Sequence, residues 1–372
     1  MLKMKTITID LLWVRPGKVG GTEVFTRNLL DGFYDNQKDI QIFLLLSKDN
    51  AYSFQKYRRD NRFHFLVAPV NSENIIQRVL WQFLFESIYL RKKGLKNCFV
   101  PVLYRPLINA GIRYINVIHD IQAFYYPQYH PVYEVWCSRL CWYLAKWLDV
   151  KTVVTSEWVK KDLIRTFHFK EKQIKVIPIP VKINQNDNEK IERIEEKYGI
   201  HRGEYYYTVA QIIPHKNLET LIEVFNGIKT KAVSLPSKLI ISGPSGNALQ
   251  TVIQKIREYH LEQEVLLTGY ISDGERNTLY QYARAFLFPS VFEGFGIPPI
   301  EAMMLKTTVI TTRCTSIPEV TQECANYVEN PYDVQEWICA MKEAKENRKL
   351  DQERFSIAEI TGNYLQLFDE VF

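Results

Sequence analysis

Two glutamates bracket a glycine-rich stretch in the second half of the chain. Glu293 and Glu301 stand eight positions apart in the run F-P-S-V-F-E-G-F-G-I-P-P-I-E-A-M, which continues from a short β-type segment, Ala285–Phe288. The glycines between them carry no side chain that would keep a ligand away from the backbone. The two prolines open a short apolar helix, whose free N–H groups and positive dipole end favour an anion. A phosphate cradle between two carboxylates that accept hydroxyl hydrogens predicts a pocket for a sugar nucleotide.

The same string resembles the donor-site motif of the large family 4 of retaining glycosyltransferases, in which G-F-G separates two glutamates and E-A-M follows. The resemblance implies that Glu301 binds the ribose hydroxyls of a nucleoside-diphosphate sugar. It also implies that Glu293 is catalytic and holds the hydroxyls of the sugar. Backbone N–H groups of the turn then support the sugar and diphosphate, and the predicted binding residues there are Gly294, Phe295, Gly296 and Ile297. The alternative is a plain β-turn-α connection with a surface glutamate on each side.

A lysine beside a helix start is the second candidate for anion binding. Lys216 lies in the run Y-T-V-A-Q-I-I-P-H-K-N-L-E, just before a predicted helix over Asn217–Lys229. At about 4 Å and an effective dielectric near 20, a lysine attracts a phosphate by about 4 kcal/mol before desolvation. Lys216 is therefore a predicted catalytic residue that stabilises a departing nucleoside diphosphate. Family members commonly carry arginine where this chain has Gln211, a predicted donor-binding position. Either His215 or a nearby arginine replaces that cation, or Lys216 and the backbone act alone.

Three further candidates lie in the first half of the chain. The loop R-P-G-K-V-G-G-T-E after the first predicted strand is not G-x-G-x-x-G, so it does not favour a dinucleotide oxidoreductase. The resemblance implies that Gly20 and Gly21 lie against the donor phosphates and the acceptor, with a plain βα turn as the alternative. It implies that His119, in an H-D pair at a strand end, is catalytic and contacts the donor sugar; spacing alone favours a structural histidine. Ser156 resembles part of a V-S-E segment, and helix N-capping is its alternative role.

Strand-like and helix-like segments alternate almost throughout the chain, which predicts an α/β protein with two parallel sheets and right-handed crossovers. In the first half the predicted strands are Thr6–Val14, Ile40–Ser47, Phe63–Val70, Tyr114–His119, Lys151–Ser156 and Ile174–Ile179. The predicted helices there are Gly21–Phe33, Glu73–Lys93, Val132–Leu148 and Glu157–Phe167. In the second half the predicted strands, each followed by a helix, are Tyr205–Ala210, Lys238–Gly243, Val265–Tyr270, Ala285–Phe288 and Thr308–Thr312.

The length of 372 residues favours two domains over a single core. The polar, Asn- and Asp-rich stretch Val181–Lys190 is the predicted linker. We therefore predict an acceptor-side Rossmann-like domain over residues 1–182, a nucleotide-sugar-binding domain over 183–350, and a long amphipathic helix over 351–372. The family resemblance implies the GT-B arrangement, in which two Rossmann-like domains face each other across an inter-domain cleft. In that arrangement the last helix crosses back onto the first domain.

Charge is distributed unevenly along the chain. Residues 1–180 contain 27 Lys and Arg against 15 Asp and Glu, and the remainder contains 20 against 27. A basic half predicts an anionic partner, and no nucleic-acid-binding motif is present. A membrane surface or a lipid-linked phosphate fits better, and the helix predicted over Glu73–Lys93, apolar with R-K-K at its end, suits a lipid interface. An ordinary basic surface, with that helix packed on the first sheet, is the alternative.

The remaining sequence features predict a cytoplasmic protein at the inner face of the membrane. No apolar run approaches the length of a membrane-spanning helix, and the N-terminal residues lack the features of a signal peptide. The six cysteines include no C-x-x-C pair, which is typical of thiols in a reducing compartment. No D-x-D motif occurs, so we expect no cofactor and no catalytic metal.

The predicted function is retaining transfer of a hexosyl group from a nucleoside-diphosphate sugar to a growing polysaccharide or lipid-linked glycan. The motif E-G-F-G-I-P-P-I-E-A-M, with L-Y upstream, favours a mannosyl or rhamnosyl donor. Two alternatives stay open. One is a sugar-nucleotide epimerase or a phosphorylase on the same architecture, although nothing marks the pyridoxal lysine that a phosphorylase needs. The other is a catalytically silent donor-binding module.

Overall fold

Alternating strands and helices build two separate units in this protein. The computed structural model describes residues 5–36, 40–184 and 187–372. Unit 1 consists of the residues up to Pro180 together with Glu353–Phe372, and unit 2 is Val181–Gln352. These boundaries lie two residues from the predicted ones. The linker predicted over Val181–Lys190 includes two residues, 185 and 186, that lie outside the described part of the chain.

A parallel sheet forms the centre of unit 1. Within the described residues its seven strands are β1 (Lys5–Asp10), β2 (Ile40–Leu46), β3 (Phe63–Val67), β4 (Asn97–Val100), β5 (Arg113–Ile118), β6 (Lys151–Val154) and β7 (Ile174–Val176). Their order is β3-β2-β1-β4-β5-β6-β7, and each neighbouring pair is parallel. The prediction missed β4, a four-residue segment that extends because it pairs with β1 and β5.

The first strand is shorter than predicted because its last residue turns the chain. The strand predicted to continue to Val14 ends at Asp10, whose carboxylate accepts a hydrogen bond from the backbone N–H of Leu12 at 2.9 Å. The apolar residues after it are buried in the loop and not in the sheet. Apolar character therefore indicated burial correctly, while the local turn decided the strand length.

Helices accompany this sheet. They are α1 (Gly21–Asp35), α2 (Ile75–Leu84), α3 (Glu86–Lys92), α4 (Gln122–Tyr125), α5 (Val132–Leu148) and α6 (Glu157–Phe167). The single helix predicted over Glu73–Lys93 is wrong, because Phe85, with φ −119°, separates α2 from α3. Hydrogen bonds from Phe85 N–H to Trp81 and from Tyr89 N–H to Phe85 continue the helical pattern across this break, so the apolar periodicity does not reveal it.

Unit 2 has a second parallel sheet. Its six strands in the described residues are β8 (Tyr205–Val209), β9 (Lys238–Ser242), β10 (Val265–Gly269), β11 (Ala285–Phe288), β12 (Val309–Thr312) and β13 (Asn326–Val328). Their order is β10-β9-β8-β11-β12-β13. The helices are α7 (Ile191–Tyr198), α8 (Leu218–Thr230), α9 (Leu249–Glu258), α10 (Asp273–Tyr282), α11 (Ile297–Met304), α12 (Ile317–Val320) and α13 (Val334–Glu343). The predicted α/β class with two parallel sheets is confirmed.

The C-terminal helix, α14 (Ile357–Val371), belongs to unit 1 and is shorter than the predicted span of residues 351–372. Ser156 and Ser356 both act as N-caps, and the hydroxyl of Ser356 accepts from the N–H of Glu359. Helix α14 packs closely on α1, where a Cβ added at Gly32 would overlap the hydroxyl of Thr361. Glycine is therefore required in α1 at this contact.

In both sheets the order in which strands are added reverses at the first strand, and this place is the switch point of the sheet. In unit 1 the first strand, β1, lies between β2 and β4; in unit 2 the first strand, β8, lies between β9 and β11. Loops that leave such neighbouring strands separate at the carboxyl edge, and the crevice between them is the usual ligand site of an open parallel sheet. Two crevices are thus expected, one in each unit.

No helix within residues 5–36, 40–184 and 187–372 has the length and apolar character needed to cross a bilayer.

Candidate functional site

Two charged side chains meet at the switch point of unit 2. Lys216 comes from the loop after β8, and Glu293 comes from the loop after β11. The ammonium nitrogen Nζ of Lys216 lies 2.5 Å from Oε1 of Glu293. Their side chains are 17% and 12% exposed, so the pair is largely shielded from water but accessible to a ligand. Water screens such a pair less than it screens a surface ion pair.

A strained residue fixes the backbone beside Lys216. Asn217 adopts the left-handed conformation with φ +52°, which non-glycine residues rarely do. Its side-chain amide donates to the carbonyl oxygens of Pro289 at 3.3 Å and Pro331 at 3.0 Å, while its Oδ1 accepts from the hydroxyl of Thr220 at 2.8 Å. These bonds hold the Lys216 turn against the loop that carries Glu293.

Further hydrogen bonds join the two loops directly. The carbonyl oxygen of His215 accepts from the backbone N–H of Val291 at 2.9 Å and from the hydroxyl of Ser290 at 3.2 Å. His215 itself is buried, with 7% of its surface exposed. The loops after β8 and β11 therefore form one rigid surface, and the position of Lys216 relative to Glu293 is set by the backbone.

The turn after Glu293 is held from a third loop, the one that follows β12. The backbone N–H of Glu293 donates to the hydroxyl of Thr315 at 3.0 Å. The hydroxyl of Ser316 donates to the carbonyl oxygens of Glu293 at 2.9 Å and Phe295 at 3.0 Å. Gly296 ends the turn with φ +95°, a conformation that favours glycine.

Gly296 is also the N-cap of α11. This eight-residue helix starts at Ile297 and has prolines in its first turn. Gly294, Phe295 and Gly296 are buried in the turn. The turn and the start of α11 thus have the form predicted for an anion site, in which a helix dipole and backbone N–H groups act together. Their predicted roles toward sugar and diphosphate stay predictions.

Glu301 lies inside the same helix and is engaged by α10. The hydroxyl of Tyr280 donates to its Oε2 at 3.2 Å, and the guanidinium of Arg276 lies 3.7 Å from its Oε1. Burial raises the pKa of Glu301, although Arg276 and Tyr280 oppose this shift. Burial alone would lower the pKa of Arg276, but the charge of Glu301 raises it above its ordinary value. A carboxylate held in this way is an oriented acceptor for hydroxyl groups.

Gln211 is exposed immediately after β8, next to a close backbone contact. A Cβ added at Gly243, which has φ +131°, would overlap the carbonyl oxygen of Ala210. The N–H of Ile212 donates to the carbonyl of Pro244 at 3.1 Å. The loops after β8 and β9 are therefore held together beside Gln211, whose role in donor binding stays a prediction. Replacement of the cation expected there by His215 or another arginine stays a prediction.

His119, Gly20 and Gly21 lie in unit 1. Nε2 of His119 is 2.9 Å from the carbonyl oxygen of Pro101, which only accepts, so Nε2 carries the proton and Nδ1 is the acceptor nitrogen. Burial lowers the pKa of His119, which favours the neutral ring. Gly20, with φ +78°, is the N-cap of α1, and Gly21 is its first residue. The backbone at these glycines is open, with no atom within 4 Å of an added Cβ.

Among the residues that the structure describes, no group of three or more His, Cys, Asp or Glu side chains is arranged to hold a metal ion.

Comparison with known families gives this geometry a context. The family described as glycosyl transferases group 1 matches residues 190–359, which include nearly all of unit 2. This chain carries a glycosyl transferases group 1 domain. Lys216, Glu293 and Glu301 all lie within that domain.

Relatives of this chain include named mannosyltransferases. The O-antigen chain mannosyltransferase RfbU of Salmonella typhimurium is 32% identical over 228 residues, which cover 60% of this chain and 59% of the relative. The serotype-specific mannosyltransferase WbdA of Escherichia coli is 30% identical over 158 residues, which cover 42% of this chain and 19% of the relative. The chain thus spans less than two thirds of the length of these mannosyltransferases.

The whole chain, not only the group 1 domain, is similar to a solved structure. Sucrose-phosphate synthase from Thermosynechococcus elongatus matches with a TM-score of 0.74 and 17% identity, over 99% of each chain. At this identity the likeness establishes the fold alone. It confirms the predicted GT-B fold of two Rossmann-like units.

The predicted site residues fall into two sets. The structure brings together, in the loops after β8 and β11 and in α11 of the group 1 domain, Gln211, Lys216, Glu293, Gly294, Phe295, Gly296, Ile297 and Glu301. Gly20, Gly21 and His119 belong to unit 1. The prediction missed the supporting residues Arg276, Tyr280, Thr315 and Ser316. Arg276 and Tyr280 stand four apart on α10, and this spacing on one helix face is the signal that links them.

Proposed function

We propose that this protein is a retaining glycosyltransferase of the family 4 type. It moves a hexosyl group, mannosyl or rhamnosyl, from a nucleoside-diphosphate sugar to a growing polysaccharide or lipid-linked glycan. The observation that carries the proposal is the contact between Lys216 and Glu293 at the switch point of unit 2. It joins a cation suited to a diphosphate with a carboxylate suited to sugar hydroxyls.

Each residue has a proposed task in the transfer. Lys216 and the N–H groups at the start of α11 stabilise the negative charge that develops on the departing diphosphate. Such preorganised electrostatic stabilisation is usually the largest catalytic contribution. Glu293 orients Lys216 and accepts hydrogen bonds from the sugar hydroxyls, and Glu301 accepts them from the ribose. The roles predicted for Gly20, Gly21 and His119 stay predictions.

The bond changes balance without a nucleophile from the enzyme. The bond from the anomeric carbon to the diphosphate oxygen breaks, and a bond from that carbon to the acceptor oxygen forms on the same face of the sugar. The acceptor hydroxyl proton passes to an oxygen of the leaving diphosphate. We propose a reaction without a catalytic metal, because the sequence has no D-x-D motif.

The choice of sugar and acceptor rests on the sequence and on the relatives. RfbU is named as an O-antigen chain mannosyltransferase and WbdA as a serotype-specific mannosyltransferase. A polysaccharide or lipid-linked acceptor at the cytoplasmic face of a membrane fits the basic first half of the chain, with 27 Lys and Arg against 15 Asp and Glu in residues 1–180.

Acceptor-dependent turnover tests the proposal. The full chain is incubated with GDP-mannose, dTDP-rhamnose or UDP-hexoses, with and without lipid-linked oligosaccharide, and with EDTA in a parallel series. We expect release of nucleoside diphosphate only with acceptor, unchanged by EDTA, and a product that keeps the anomeric configuration of the donor by NMR. Conversion of the donor sugar without acceptor would instead establish an epimerase. Donor binding without turnover on any acceptor would establish a silent binding module.

A further inference from the structure

Unit 1 contains a large cavity at its own switch point. It has a volume of about 1430 Å³ and is lined by residues of the loops after β1 and β4, including Trp13, Arg15 and Tyr104. Helices α2 and α5 form its other walls. This is the crevice at the carboxyl edge of the first sheet, where β1 and β4 send their loops apart. No residue that was assigned above to donor binding belongs to the lining of this cavity.

One wall of the cavity is apolar and reaches the protein surface. Inside, α2 contributes Val79 and Phe83. At the rim, Ile76, Leu80 and Tyr133 also line the cavity, although they are 75%, 54% and 58% exposed. Because the rim is apolar as well as the interior, a hydrocarbon chain would contact apolar side chains from the entrance to the inside of the cavity. A wall of this kind is unsuited to a free sugar.

Two arginines of the cavity lining have a buried guanidinium nitrogen without a partner. The Nε atoms of Arg15 and Arg78 are buried and have no hydrogen-bond partner. Neither residue takes part in an ion pair within residues 5–36, 40–184 and 187–372. Burial lowers the pKa of Arg78, the carboxylates of Asp10 and Asp49 oppose this shift, and the charge of Arg15 adds to it. Two guanidiniums in the lining of one cavity favour an anionic ligand.

The carboxylates of the cavity lining are occupied elsewhere. Asp49 accepts from the N–H of Ser72 at 2.7 Å, and Glu73 is paired with Lys18 at 2.8 Å. Glu134 accepts from the hydroxyl of the neighbouring Tyr133. These three carboxylates are therefore bonded or paired away from the arginines. Asp49 and Asp10 still attract Arg78 at longer range, and a ligand would supply a direct anionic partner.

Two buried polar atoms also lack a partner at this place. The hydroxyl of Tyr104 and the Oε1 atom of Gln82 are buried in residues that are 8% and 1% exposed, and neither makes a hydrogen bond. Both residues line the cavity. A buried polar atom without a partner is costly, so a ligand that offers oxygen and hydroxyl groups would relieve the cost. The Tyr104 hydroxyl and the arginines together supply donors for an oxyanion.

We infer that this cavity binds an anionic amphiphile, a phosphate or diphosphate ester of a long hydrocarbon chain. The phosphate lies against Arg15, Arg78 and the Tyr104 hydroxyl, and the chain runs along α2 towards Leu80 and Ile76. This inference rests on the proposed function, since such an ester is the anchor of a lipid-linked glycan acceptor. It assigns a place and a chemistry to that anchor.

Helix α5 provides a surface from which such a lipid can enter. Besides its lining residues, it exposes an apolar stripe at helical spacing, namely Val132, Trp136, Leu140, Tyr143 and Trp147, at 40–73% exposure. Tyr133, Cys137 and Cys141, which line the cavity, stand one position further along and therefore about 100° around the helix. Tryptophan and tyrosine suit the boundary between lipid and water, so the stripe matches a bilayer surface beside the cavity.

Calorimetric titration of the full chain with dodecyl phosphate, below its micelle concentration, tests the inference. Hexyl phosphate and inorganic phosphate test the need for the chain, and dodecyl maltoside tests the need for the charge. We expect dodecyl phosphate to bind at least about tenfold more tightly than hexyl phosphate, because each buried methylene adds affinity. Equal affinity for dodecyl maltoside, or for inorganic phosphate, would overturn the inference.

Two variants locate the bound ester. Arg78→Gln should weaken dodecyl phosphate binding by about tenfold or more, because it removes a charge-assisted partner of the phosphate. Arg59→Gln, at an exposed arginine of the same unit, should leave it unchanged. Leu80→Gln, at the rim, should weaken dodecyl phosphate but not hexyl phosphate. Unchanged affinity in Arg78→Gln, with circular dichroism showing a native fold, would exclude this cavity.

The outcome separates this inference from the proposed function. Transfer to a water-soluble glycan together with failure to bind dodecyl phosphate would reject the lipid site and leave the transferase standing. Binding of dodecyl phosphate to the cavity, together with absence of any transfer, would reject the proposed function and establish an anionic lipid site in unit 1.

Discussion

Lys216 and Glu293 are 77 positions apart in the chain, and their charged atoms are 2.5 Å from each other. Hydrogen bonds between the two loops hold these residues there, so the lysine is ordered before any ligand binds. A preformed cation requires little reorganisation when negative charge develops beside it.

Replacement of this lysine tests its proposed role in the chemical step. In Lys216→Ala we expect kcat for glycosyl transfer to fall by about 10²- to 10³-fold, the usual loss when one preorganised electrostatic partner is removed. Lys231→Ala, at an exposed lysine of the same unit, is the matched control and should retain activity. Initial rates of nucleoside diphosphate release measure both. Near-wild-type kcat in Lys216→Ala would remove it from the mechanism.

Glu301 gives a prediction about binding rather than turnover. Glu301→Gln keeps the size of the side chain but loses a charged acceptor, so affinity for the cognate nucleoside diphosphate should fall by about tenfold. Calorimetric titration with GDP, UDP and dTDP measures the change and identifies the base. Glu262→Gln, at an exposed position of unit 2, serves as the control. Equal affinities in the two variants would show that Glu301 does not touch the nucleotide.

Two glycines with positive φ allow the stability cost of backbone strain to be measured apart from the cost of steric overlap. At Gly269, with φ +69°, an added Cβ meets no atom within 4 Å, so Gly269→Ala should cost about 1–2 kcal/mol of unfolding free energy through strain alone. At Gly243, with φ +131°, it also overlaps the carbonyl of Ala210, and we expect Gly243→Ala to cost about 3 kcal/mol or more. Urea denaturation compares them. Equal losses would show that the loops move apart freely.

A buried acid in unit 1 makes stability depend on pH. Burial raises the pKa of Asp10 from 3.8 to about 6. Between these values the folded protein keeps a proton that the unfolded chain releases. The unfolding free energy therefore falls as pH rises from about 4 to about 6, in a titration that Asp10 shares with the neighbouring buried Glu86.

The variant Asp10→Asn should lack this part of the pH dependence. Its side-chain oxygen still accepts from the Leu12 N–H. In the wild type Gln82 Nε2 donates to Asp10 Oδ2, so the new amide can donate to Gln82 Oε1 once the Gln82 amide turns over. Urea denaturation across pH 4–6 should show a slope smaller by about one proton than in wild type. Asp35→Asn, at an exposed aspartate, should keep the wild-type slope. Identical slopes in Asp10→Asn and wild type would contradict the assignment.

Sequence patterns predicted the parts of this protein that local chemistry determines. Parallel strands followed from alternation, and the turn at Gly294–Gly296 followed from its glycines and prolines. The ion pair between Lys216 and Glu293 did not follow, because each residue was assigned to a different part of the donor. Which side chains meet across neighbouring strands depends on strand order, and the sequence does not state that order.

The errors have physical causes of the same kind. Strand β4 is extended because of its neighbours, and the break at Phe85 keeps the helical hydrogen bonds on both sides. The contacts of Arg276 and Tyr280 with Glu301 were not predicted, because polar side chains on a helix usually face water. Here their partner, Glu301, comes from another helix. Tertiary contacts decided the extension of β4 and the partner of Arg276 and Tyr280.

The close contact of Gly32 with Thr361 affects the order in which the two units can fold during translation. Helix α14 covers α1 in unit 1, yet the ribosome reaches it only after the whole of unit 2 has been translated. Until then, Phe33 and Phe99 lack the aromatic partners that α14 provides. Unit 2 is one continuous segment. It is therefore the first unit that can fold completely while the polypeptide is being synthesised.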